Sequence, residues 1–166
     1  MKGLSKKEIE VIAWLEFHQK YFFTSAEIDH FAKNKTQRYN IVKNLMKKRR
    51  IIKLNRTKYV LVPIKATSGN WSEHPLIIAD EMCNGKEYYM GGWAAAHYWR
   101  VTDQIPFQWD IYTTRRQGKK EIMNTRFVFH RTTKKRINKA RTGTIQNHTF
   151  RIIAKEEAKK WMRSRA

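Results

Sequence analysis

The chain has 166 residues, 41% of them hydrophobic, and sets 35 Lys and Arg against 14 Asp and Glu, a formal net charge of +21. The apolar share excludes a disordered polycation and suffices for one medium domain or two small ones. The charge points to a polyanionic partner, nucleic acid before acidic membrane.

Ser5 and Glu8 form a predicted capping box, and Val11, Ile12 and Leu15 follow at helical spacing. Thr24 and Glu27 repeat the cap ahead of Ile28 and Phe31. Asn34 and Gln37 offer a third helix start, after which Ile41, Val42, Leu45 and Met46 are expected to face inward. The period then changes. Residues 51–62, IIKLNRTKYVLV, are β-branched and aromatic around a polar turn at Asn55–Lys58, as a hairpin requires. Three short helices and a hairpin predict a winged helix-turn-helix over residues 1–64. The stretch VPIKATSGNWSEHP (62–75) gathers Pro, Gly, Ser, Thr and Asn and reads as a seam between two domains.

Residues 65–166 are expected to form a small mixed α/β domain, which makes the whole fold class α+β. Helices are predicted at 74–83 and 91–101, strands at 108–114, 125–132 and 148–154, and a basic helix from 155. RRQGKK (115–120) reads as a basic turn. In GGWAAAHYWRV, Ala94–Ala96 let a helix pack closely, with Trp93 and Trp99 filling the space around it. Gly91 and Gly92 lack the lysine of a P-loop and the repeated glycines of a dinucleotide turn, so a packing role is expected.

The chemistry lies on the basic surface. A recognition helix lays its first turns against base edges, where Gln and Asn pair with adenine, Arg with guanine, and Thr meets a thymine methyl. Thr36, Gln37, Arg38 and Asn40 are therefore the expected base readers. Lys35, Lys43, Lys47, Lys48 and Arg50, with Arg56 and Lys58 in the wing, are assigned to phosphates, which give affinity without sequence information. Tyr39 is expected to be partly buried. In the second domain Arg115, Arg116, Lys119, Lys120, Lys134, Lys135 and Arg136 are expected to extend the phosphate footprint.

Candidates for catalysis are sparse. No HExxH, GxSxG or GKS/T spacing occurs. The single Cys83 cannot form an internal disulfide and reads as a small buried hydrophobe. Asp80 and Glu81 are adjacent on a predicted helix, so their side chains should diverge rather than share a metal. His97, in an apolar helix, reads as a satisfied structural histidine. No cofactor, metal or enzymatic activity is expected. An RNA-binding protein, or a metal-independent ribonuclease built from His97, His130 and His148, stands as the alternative. No run reaches the roughly 20 apolar residues of a membrane span, and Glu8, Glu10 and Glu16 interrupt any leader-like start, so a cytoplasmic protein is expected.

Residues 77–117, with a winged helix ending YVLVPI before them, resemble the AbiEi-type antitoxins and related transcriptional regulators. Tyr88, Tyr89, Gly91, Trp93, Ala95, Gln104 and Pro106 carry the resemblance, which extends over roughly residues 5–155. It implies a non-enzymatic regulator that binds inverted repeats in double-stranded DNA near its own promoter and represses it. It also implies a nucleotidyltransferase-like toxin as a functional, not necessarily physical, partner. Dimerisation on DNA is compatible with this, and the oligomeric state is left open. Typical members continue beyond the point matching Ala166, so a short variant or a truncated form is expected. Thr57–Lys58 stands where a glycine often precedes the wing tyrosine, which implies a different turn.

Overall fold

A computed structural model describes residues 3–66 and 73–165. Residues 67–72 of the predicted seam lie outside the described residues. The fold is α+β, and the chain divides into two compact units, Met1–Ser72 and Glu73–Ala166. No helix among the described residues is long and apolar enough to cross a membrane.

The first unit begins with α1 (Lys6–Phe17), whose cap closes both ways. Glu8 N–H donates to Ser5 Oγ at 3.3 Å, and Ser5 N–H donates to the Glu8 carboxylate at 2.6 Å. Strand β1 (Phe22–Thr24) follows, then a 3-10 helix over Ser25–Phe31 where a second helix was expected. Thr24 N–H donates to Glu27 at 2.8 Å, so the capping residues were legible although the tighter coil was not. Helix α2 (Lys35–Lys47) starts at Asn34, whose Oδ1 accepts from Gln37 N–H at 2.9 Å. The hairpin strands are β2 (Ile51–Lys53) and β3 (Lys58–Leu61). They join β1 in a three-stranded antiparallel sheet of order β1-β3-β2, with Phe23 opposite Tyr59.

Val11, Ile12, Leu15, Phe23, Ile28, Ile41, Val42, Leu45, Ile51, Tyr59 and Leu61 form the core of this unit. Met46, expected inside, is only partly buried, as is Phe31. Leu45 is fully buried, and its truncation to Ala belongs to the class that costs about 2–5 kcal/mol.

The second unit opens with α3 (Pro75–Cys83), which has Pro at its first turn and an αL cap at Asn84. Strand β4 (Tyr88–Gly91) leads directly into α4 (Gly92–Tyr98). Then come β5 (Trp109–Thr113), β6 (Gly118–Ile122), β7 (Thr125–Arg131), α5 (Lys134–Asn138), β8 (Arg141–Ile145), β9 (His148–Ile152) and α6 (Lys155–Arg163). The six strands form one mixed sheet of order β6-β7-β5-β4-β9-β8. Its centre is parallel at β5–β7 and β4–β9 and antiparallel at β4–β5, and an antiparallel hairpin closes each edge.

The basic segment expected as a turn over 115–120 is corrected here. Residues 114–117 do reverse the chain, since β5 runs parallel to β7 and β6 antiparallel to it, but Gly118–Lys120 already belong to strand β6, and a second reversal follows at Met123–Asn124. Ala94, Ala95 and Ala96 are fully buried where α4 packs on α6 and β5. Trp93 meets Trp161 edge-on at 5.4 Å, and Trp99 Nε1 donates to the Ile153 carbonyl at 2.9 Å. The glycine–alanine–tryptophan stretch is therefore a packing seam between α4 and the C-terminal helix.

Candidate nucleic-acid interface

Helix α2 turns its core residues one way and a polar stripe the other. Steps of about 100° per residue bring Thr36, Asn40, Lys43 and Lys47 within about 60° of one another, opposite Leu45. All four are exposed, as are Lys35 and Asn44, while Ile41, Val42 and Leu45 are buried. Lys35 stands in the first turn, where no acidic residue balances it. A cation there opposes the helix dipole and adds to the positive end that attracts phosphate.

Several expected contact residues are engaged inside the protein instead. Gln37 Oε1 accepts from Lys33 N–H at 2.6 Å, so this side chain closes the α2 cap and is only half-exposed. The Arg38 guanidinium pairs with Asp29 from the 3-10 helix. Lys48 Nζ lies 2.6 Å from Glu8 and 2.8 Å from the Gly3 carbonyl, tying the end of α2 to α1. Burial alone would raise the Glu8 pKa, but hydrogen bonds from Lys48 and from Ser5 outweigh it and hold the carboxyl below its ordinary value. Tyr39, expected to be partly buried, is 64% exposed beside the stripe. On the helical wheel it lies about 40° beyond Lys43 and about 120° from Leu45, which turns it away from the core.

At the hairpin tip Asn55 Oδ1 accepts from Thr57 N–H at 2.9 Å and Lys58 N–H at 2.8 Å. This side-chain turn needs no glycine before Tyr59, which explains the Thr57–Lys58 departure. It leaves Arg56 exposed at the tip, with Lys58 half-exposed and Arg50 half-exposed at the end of α2.

The basic residues of the second unit lie before and on strand β6 and on α5, and Arg115 and Lys134 both act on Glu87, holding its carboxyl below the ordinary value. Arg115 pairs with Glu87 at 2.7 Å, and the Arg116 guanidinium lies 3.5 Å from the centre of the Phe129 ring. Lys119 is exposed and Lys120 half-exposed on the edge strand β6. Lys134, Lys135 and Arg136 are exposed on α5, which connects β7 to the far edge of the sheet.

The titratable groups set aside as structural hold three findings. Cys83 is buried, and burial pushes its thiol up to about 12, which removes it as a nucleophile. Among the described residues His97 Nδ1 is buried without a hydrogen-bond partner, so this histidine is not the satisfied one expected. Asp80, Glu81 and His148 place potential ligand atoms within 4.8 Å of one another, although adjacent helix residues were expected to diverge. The strand β9 histidine reaches the helix end, which the sequence order of Asp80 and Glu81 does not reveal. Both Asp80 oxygens already accept hydrogen bonds, from Tyr88 at 2.5 Å and His148 at 2.9 Å.

The buried Asp110 carboxylate accepts from His130 Nε2 at 2.8 Å. It lies on β7, separated from His148 on β9 by β5 and β4, or about 14 Å of sheet. The two cannot act on one bond as an acid–base pair. No protein-family model matches the chain, and no curated protein matches it.

Proposed function

We propose that the protein is a sequence-specific DNA-binding transcriptional regulator, an autorepressing AbiEi-like antitoxin whose first unit is a winged helix-turn-helix. The observation that carries this reading is the stripe Thr36–Asn40–Lys43–Lys47, exposed on α2 directly opposite the core residues that anchor the helix. The order α1, β1, 3-10 helix, α2, hairpin supports this reading, in which α2 is the recognition helix and the hairpin, with Arg56 at its tip, the wing. The base-reading set narrows to Thr36 and Asn40, because Gln37 and Arg38 have partners within the unit. Double-stranded DNA is the partner, and a nucleotidyltransferase-like toxin remains the functional partner of the antitoxin role. The reading is non-enzymatic and cytoplasmic, and the separation of His130 from His148 counts against a ribonuclease that pairs them.

The test is binding to the duplex upstream of the protein's own reading frame, against a scrambled duplex of equal length. Thr36→Ala with Asn40→Ala should lose about 1–3 kcal/mol of discrimination per base contact removed, leaving scrambled-duplex affinity unchanged. A double variant that still separates the two duplexes as well as the unmodified chain does would refute the base-reading assignment. The exposure of Tyr39 favours a second reading, RNA binding, since an exposed aromatic among cations can stack an unpaired base. Single-stranded RNA that outcompetes the upstream duplex, with loss on Tyr39→Ala, would select it.

A further inference from the structure

We propose that the second unit contains a nucleotide-binding pocket in which Arg136, Lys139, Arg141 and Lys160 hold the phosphates while Tyr112 and Trp161 border the base. The pocket is a cavity of about 730 Å³ whose walls come from the β4–α4 junction, the α5–β8 connection and α6. Small-ligand sites fall between about 300 and 1,000 Å³. This proposal goes beyond DNA recognition and does not depend on it, because α2 belongs to the other unit.

Charge is the first argument. Four cations line the cavity against one carboxylate, Glu157, which meets Lys160 only at 3.5 Å across an exposed helix turn. Among the described residues Arg136, Lys139 and Arg141 have no carboxylate partner. Elsewhere in the unit Glu87 is engaged by Arg115, Asp110 by His130 and Asp80 by His148. A concave wall with excess positive charge selects an anion with more than one negative charge, and guanidinium groups favour phosphate geometry.

The second argument is the aromatic side of the same cavity. Tyr89 and Tyr112 stack at 5.0 Å with 3° between their planes, and His130 continues the column at 4.7 Å from Tyr112. Gly91 makes that column fit, since a Cβ there would lie 2.6 Å from the Tyr112 ring. Burial first, and the Asp110 charge second, push the Tyr112 phenol up to about 12, so at neutral pH it remains a hydroxyl able to donate. Trp161 is half-buried, held edge-on by Trp93, with the Arg165 guanidinium 4.7 Å from its ring centre. Phosphate cations and π surfaces on one cavity match a base joined to phosphates. A base joined to the phosphates gains contact with the Tyr112 edge and the Trp161 ring that a sugar phosphate or inorganic anion does not.

The same chemistry occurs in a free nucleoside triphosphate and in the 5′-phosphorylated end of a strand. The experiment uses the full chain and fluorescence anisotropy, with labelled ATP and GTP, and with a short labelled oligonucleotide carrying either a 5′-phosphate or a 5′-hydroxyl. Salt is set high enough to suppress diffuse attraction by the net charge. Saturable binding of a triphosphate, or of the 5′-phosphate strand over its 5′-hydroxyl twin, is expected, and the better of the two identifies the source. Lys139→Gln with Arg141→Gln should weaken it at least about tenfold. Lys86→Gln with Arg126→Gln removes the same charge outside the pocket and should change it by less than about twofold. Trp161→Leu should weaken the nucleotide but not inorganic tripolyphosphate used as competitor.

Circular dichroism melting checks the folding of each variant, and Arg136→Gln replaces any pocket variant that melts early. Three results overturn the proposal: no saturable binding of any of these probes, equal weakening by the two double variants, or tripolyphosphate binding as tightly as the nucleotide. Thr36→Ala with Asn40→Ala leaves this binding intact, so failure of the DNA reading and failure of the pocket are told apart.

Discussion

Lys48 illustrates how a side chain's role is decided by what faces it rather than by its type. It caps α2 within the basic run Lys47–Arg50, but its Nζ lies 2.6 Å from a carboxylate that is only 3% exposed. Removing one member of a buried ion pair strands the other, at about 3–5 kcal/mol. Lys48→Ala should therefore destabilise the first unit by about 3 kcal/mol, scaled down slightly because the lysine keeps some water contact. Denaturant unfolding followed by fluorescence measures this. The sign with pH follows from the depressed Glu8 pKa. Its contribution is complete above the ordinary glutamate range and is lost as pH falls through the lowered folded value. The unmodified chain should thus lose stability on acidification more steeply than Glu8→Gln, and parallel acid limbs would remove Glu8 from the account. Gln37 belongs with Lys48: Gln37→Ala should cost about 1 kcal/mol of helix stability through the lost cap and leave DNA discrimination unchanged.

Among the elements, those with a buried face at regular spacing were legible and those without one were not. The caps of α1 and α2, the hairpin at 51–61, and strands β5, β7 and β9 all follow from periodicity and turn residues. Strand β1 has three residues and runs straight into a cap, too short for alternation to register. The edge strands β6 and β8, GKKEI and RTGTI, put mostly polar side chains into water, so hydrophobic pattern cannot mark them. Their hairpins turn at Met123–Asn124 and Gln146–Asn147, with φ of 49° and 62°, and 48° and 63°, without the glycine that normally signals such a turn. Asparagine tolerates that region and alanine does not, so Asn147→Ala should cost about 1 kcal/mol while Asn147→Gly costs none. Thermal melting of the two variants compares them, and equal midpoints would refute the turn assignment. A sharper case is Gly92, at φ +53°, where a Cβ would lie 2.5 Å from the buried Asp110 carboxylate. Gly92→Ala combines backbone strain with a clash and should destabilise the second unit by roughly 2–3 kcal/mol.

At the scale of the whole molecule the net charge of +21 makes affinity for polyanions expected, so affinity by itself tests little. The sequence could place Thr36, Asn40, Lys43 and Lys47 on one helix face because helical period alone fixes that. It could not tell free cations from engaged ones, because Asp29 and Glu8 reach Arg38 and Lys48 from other elements. Salt dependence separates the two kinds. Each phosphate neutralised releases condensed counterions and contributes about −0.9 to the slope of log K against log salt. Lys43 and Arg56, exposed on α2 and at the hairpin tip, should each flatten that slope by about 1 when changed to Ala. Lys48→Ala removes the same formal charge from the same helix end, yet it should leave the slope unchanged under conditions where the first unit stays folded. A slope that responds equally to all three would mean that binding senses only total charge, and the assignment of a defined interface on α2 and the hairpin would fall with it.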